Sequence, residues 1–146
     1  MLTRILDAFR TPAPAPLPEP DDALALGALM VRVAKSDRDY RFSEISRIDR
    51  LLARLNGVGP VEAAKMRATC EKLERQAPET DRFGHIIRET VSFESRVSAL
   101  EALWEVLLAD AEAHAEELGV IDMAREAMGL SHADSDAARA MAENGD

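Results

Sequence analysis

Two short stretches hold the residue types that could do chemistry. Asp37, Asp39 and Glu44 stand in one, and 73 positions later Asp110, Glu112 and Glu117 repeat the spacing, with His114 inside the second copy. Each stretch follows a strongly apolar run, so its carboxylates fall beside carbonyls freed at a helix end. That donor set is all oxygen, which suits a hard cation such as Ca²⁺ or Mg²⁺. The spacing Asp-x-Asp-x4-Glu is too short for an EF-hand loop. A second reading needs no ion: Glu44 and Glu117 are halves of capping boxes at positive helix ends, and the remaining carboxylates are solvated turn residues. His114 reads as a cap or solvated side chain before a nitrogen ligand. His85 and His132 have no Cys or His at ligand spacing, so zinc is not expected.

Nothing else in the chain resembles a reaction centre. There is no Gly-rich phosphate loop, no nucleophile elbow and no His-Glu-x-x-His helix. A metal-dependent hydrolase is disfavoured, because no base or nucleophile is left once the carboxylates serve as ligands. The expectation is a protein that is not an enzyme.

The elements that must position these residues are helical. The chain has 146 residues, 47% of them hydrophobic but only 4% aromatic, and Leu, Ala, Val, Ile and Met recur at helical spacing. This length suits one domain with a real core. The net charge of −9 argues against nucleic-acid binding and leaves cations and basic surfaces as partners. With Cys70 the single cysteine, no intramolecular disulfide is available, and a cytoplasmic location is expected. Neither a signal peptide nor a transmembrane segment is recognisable.

Residues 1–10 place Leu2, Ile5, Leu6 and Phe9 on one face of a short amphipathic helix. It could pack on the core, dock a protein partner or touch a membrane surface weakly. Residues 11–20 carry five prolines and should form an extended spacer. The single all-helical domain is expected over 21–146.

Within it the run Ala23–Ala34 is nearly all apolar and predicts a central buried helix. From Phe42 a stripe of Ile45, Ile48, Leu51, Leu52 and Leu55 leaves Arg47, Asp49, Arg50 and Arg54 for solvent. Asn56-Gly57-Val58-Gly59-Pro60 ends that helix and starts the next. Ala63, Met66, Cys70 and Leu73 line a third helix, and Phe83, Ile86, Ile87 and Val91 a fourth. A second central helix is expected from Arg96 to Ala109, after a junction at 92–95, with Trp104 in the core and Ser98, Glu101 and Glu105 on a polar strip. Leu118, Ile121, Ala124 and Met128 form the next stripe, closed by Gly129, and an alanine-rich helix ends the chain.

At the offset of 73, Leu26–Ala34 falls on Ala99–Leu107, Ile48 on Ile121 and Asp49 on Asp122. Helix, acidic segment and helix recur in register. The expected fold is thus a compact all-α bundle of about seven helices with an internal pseudo-twofold helix–loop–helix repeat.

These segments resemble the repeated signature of the TerB-like tellurite-resistance family. There an apolar helix ends in Ala-Asp-Gly, an acidic residue follows, and a glutamate lies seven positions after the first aspartate. Ala34-Lys35-Ser36-Asp37-Arg38-Asp39 through Glu44 and Leu107-Leu108-Ala109-Asp110-Ala111-Glu112 through Glu117 occupy those places, and Leu103-Trp104-Glu105-Val106 is also similar. Arg38 and Ala111 stand where the family has glycine. The resemblance spans roughly residues 21–142 and implies a cytoplasmic, non-catalytic accessory protein of tellurite resistance or stress response. It also implies a divalent-cation site at Asp37, Asp39, Glu44, Asp110, Glu112 and Glu117. The alternative is a structural adaptor or dimerisation module without a metal, tethered through the N-terminal helix.

Overall fold

The computed structural model describes residues 17–18, 20–36, 40–77, 79–109 and 115–144. The amphipathic stretch with Leu2, Ile5, Leu6 and Phe9 lies outside them, as do Asp37, Asp39, Asp110, Glu112 and His114.

Seven helices make up the described residues: α1 (Asp22–Lys35), α2 (Phe42–Asn56), α3 (Pro60–Gln76), α4 (Thr80–Thr90), α5 (Phe93–Leu108), α6 (Ala115–Ala127) and α7 (His132–Asn144). The two apolar helices expected to be central are so. In α1, Ala25, Ala28, Leu29, Met30, Val31, Val33 and Ala34 have no exposed surface, and α5 buries Leu100, Leu103, Val106 and Leu107.

Local chemistry sets the ends. Asp21 accepts a hydrogen bond from the Leu24 N–H at 2.9 Å and opens α1. Gly57, with φ of 63°, ends α2, and the Val58 N–H donates to the Ala53 carbonyl at 3.1 Å. Pro60 starts α3, where its missing N–H costs nothing. Gly129, with φ of 73°, ends α6 with both bonds of a Schellman motif, Gly129 N–H to the Glu126 carbonyl and Leu130 N–H to the Arg125 carbonyl. Ser131 and Asp134 then cap α7 reciprocally, at 2.8 and 3.0 Å.

The most extensive pairings are α1 with α3, α5 with α7 and α4 with α6. The two central helices also touch each other, and each touches the helix that follows the other's acidic segment: α1 meets α6, and α5 meets α2. α2 packs broadly on α3, whereas α6 and α7 hardly meet.

Some sequence expectations require correction. α5 begins at Phe93, not Arg96, because Ser92 is its N-cap and accepts from the Ser95 N–H at 3.3 Å. Leu55 and Leu118, expected on buried stripes, are partly exposed, at 44% and 37%. Both lie near an end of their helices. Glu105, expected on a polar strip, is buried and meets Arg54 of α2 at 2.8 Å. Leu17, within the proline-rich stretch, packs against the core.

One arginine joins three helices. Arg32 of α1 donates to the Glu74 carbonyl at 2.9 Å and to the Ala77 carbonyl, and lies 3.6 Å from the Glu74 carboxylate. It thereby occupies carbonyls left over at the end of α3, where a cation is favoured by the helix dipole. The same guanidinium lies 5.8 Å from the ring centroid of Phe83 in α4.

Candidate functional site

Of the six predicted ligands, Glu44 and Glu117 are the two that the described residues include. Each is the third residue of its helix, Glu44 in α2 and Glu117 in α6, and each has no solvent-exposed surface. That is unusual for glutamate, which is seldom buried without compensation. Glu44 accepts a hydrogen bond from the Arg41 N–H at 3.3 Å, the expected half of a capping box. The positive end of the helix favours both carboxylates.

The backbone on either side of the first acidic segment is firmly anchored. Upstream, the Ser36 hydroxyl and N–H both donate to the Val33 carbonyl, at 2.7 and 3.3 Å, and Lys35 pairs with Glu74 at 3.2 Å. Downstream, Tyr40 packs against the core beside Arg67 and Glu71 of α3. Burial, with Glu71 alongside, raises the Tyr40 phenol pKa above its ordinary value. Arg67 pairs with Asp49 at 2.6 Å and Glu71 at 3.3 Å, so these charges are spent between α2 and α3. At the second segment the Ala109 N–H donates to the Glu105 carbonyl at 3.1 Å, continuing the hydrogen bonding of α5.

Among the described residues, no three His, Cys, Asp or Glu side chains form a group that could hold a metal ion. The donor set that Glu44 and Glu117 would contribute is nevertheless of the right kind. A carboxylate already removed from water has less hydration to lose when a hard cation binds.

The remaining reactive residues serve the core. Cys70 is fully buried, and burial pushes its thiol pKa up to about 12, so it is inert near neutral pH. Trp104 is buried, donates from Nε1 to the Ser135 hydroxyl at 3.1 Å, and carries the Arg139 guanidinium 4.9 Å from its ring centroid. The residue sequence reasoning missed is Glu105. The available signal was its setting between Trp104 and Val106 in the apolar C-terminal half of α5, where a carboxylate needs a partner from another helix.

No helix among the described residues is long and apolar enough to cross a membrane. No curated protein and no solved structure matches the chain. The family model described as "Tellurite resistance protein TerB" matches residues 23–140, which takes in all of α2 to α6, all but the first residue of α1 and the larger part of α7. With two central apolar helices, each followed by an acidic segment and a buried glutamate, the chain belongs to the TerB family.

Proposed function

We propose that the chain is a non-catalytic accessory protein of tellurite resistance or stress response that holds a divalent cation, Ca²⁺ or Mg²⁺, through its two acidic segments. The ligands would be drawn from Asp37, Asp39 and Glu44 and from Asp110, Glu112 and Glu117. The observation that carries the reading is the matched burial of Glu44 and Glu117, both at the third position of a helix that follows an acidic segment. Solvated cap residues have no need to be withdrawn from water; ligands of a hard cation gain from it. The bound ion would supply positive charge and fixed geometry, and the reading assigns it no reaction.

A protein partner at the same end is the second reading. Phe42, the first residue of α2, is 83% exposed immediately after the first acidic segment, which suits an aromatic anchor.

Calorimetric titration with Ca²⁺, Mg²⁺, Mn²⁺ and Zn²⁺ tests the first reading. The full chain should bind Ca²⁺ or Mg²⁺ at sub-millimolar concentration, and the Asp37→Asn, Asp110→Asn double variant should lose at least about tenfold in affinity. Absent or only millimolar binding by the unaltered chain would leave the capping and turn account in place.

A further inference from the structure

The outer face of α2 carries an unexpected concentration of positive charge for a chain of net charge −9. Arg47, Arg50 and Arg54 recur at helical spacing along one face and line a cavity of about 550 Å³. Leu51 and Val58 give it an apolar wall, and Glu105 of α5 closes one side. The volume is in the range of small-molecule sites, which combine apolar walls with a few convergent polar groups.

The charges there do not cancel. Arg54 is matched by Glu105 at 2.8 Å. Glu143, in an adjoining recess that Arg47 and Glu105 also line, is paired with Arg139 at 2.9 Å. Asp49, on the same helix, is held by Arg67 at 2.6 Å. Arg47 and Arg50 are left over: neither has an ion pair among the described residues, and Arg50 has only a long contact with the Ser46 hydroxyl at 3.5 Å. The Nε of Arg47 is shut off from solvent and has no hydrogen-bond partner among the described residues.

We propose that this groove is a binding site for a small phosphate monoester with an apolar body. Two unmatched guanidinium groups equal the charge of a phosphoryl dianion, and their planar forks suit its oxygens. The Leu51 and Val58 wall takes the apolar part. The site is independent of the acidic segments.

The test is a titration of the full chain with phenyl phosphate and, separately, inorganic phosphate, at constant ionic strength and with a chelator present so that a cation at the acidic segments takes no part. Amide shifts should concentrate at Leu51, Ala53 and Val58, and phenyl phosphate should bind tighter than inorganic phosphate. Arg47→Gln with Arg50→Gln should weaken binding at least about tenfold; Lys65→Gln with Lys72→Gln, which removes two cations elsewhere, should change it less than about twofold. Arg50→Gln alone, at an exposed position that leaves the fold intact, should weaken it about threefold. Lack of saturable binding by the unaltered chain overturns the proposal, and so does equal loss in the two double variants. Inorganic phosphate binding as tightly as phenyl phosphate removes the role of the apolar wall and overturns it equally.

Discussion

Gly27 lies inside α1, where glycine costs about 1 kcal/mol relative to alanine. Its reason is the close approach of α3. A Cβ added there would stand 2.3 Å from the Cys70 sulfur, while its next neighbours, Cys70 Cβ and Leu52 Cδ2, would be at an ordinary 3.4 Å. At 2.3 Å the upper part of the usual overpacking cost applies, about 2–3 kcal/mol, so after the helix gain of about 1 kcal/mol Gly27→Ala should destabilise by roughly 1–2 kcal/mol. Cys70→Ala deletes one buried sulfur and should cost about 1 kcal/mol. Together the two changes should nearly cancel, because the new methyl group takes the place of the sulfur. The double variant should fall within about 1 kcal/mol of the parent chain, with a coupling of roughly 2 kcal/mol in the favourable direction. Urea unfolding followed by far-UV circular dichroism, with unchanged m-values, measures all four corners of the cycle. A neutral or stabilising Gly27→Ala, or additive costs in the double variant, would refute the close-approach argument.

Two further predictions concern charge. Arg54→Ala strands the buried Glu105 carboxylate; since Arg54 itself is 62% exposed, the expected loss is roughly 2 kcal/mol, below the 3–5 kcal/mol of a fully buried pair. Adding Glu105→Gln should return about half of that in the same urea assay, and a further loss would show that the carboxylate is not the source of the cost. The second follows from Cys70, whose thiol pKa is raised by burial to about 12 from the ordinary 9.0. The folded state keeps a proton that the unfolded state gives up, so this contribution is fully present below about pH 9 and is lost as pH rises toward 12, at most about 1.4 kcal/mol per pH unit. Tyr40 acts in the same sense from about pH 10 upward, its phenol pKa also being raised by burial. Urea midpoints from pH 8 to 10.5 should therefore fall more steeply for the parent chain than for Cys70→Ala; parallel slopes would place the thiol in water.

Part of this protein follows from its sequence alone. Apolar spacing located the helices, because a face that is apolar every three to four residues has to be covered whatever covers it. Gly57, Gly129, Pro60 and Ser131 marked where helices end or begin, since left-handed backbone, a missing N–H and a capping hydroxyl are local chemistry. The correspondence of Glu44 with Glu117, and the family resemblance, were likewise legible in residue order. Partners were not. Arg32 and Glu105 occupy matching positions at the offset of 73, yet one is satisfied by Glu74 and the carbonyls at the end of α3, the other by Arg54 of α2. Periodicity states that a side chain points inward and is silent about what it meets. The exposure of Leu118, the approach of α3 to Gly27 and the arginine groove on α2 were decided only when the helices packed. Such features depend on distances between segments far apart in the chain, which no local pattern encodes.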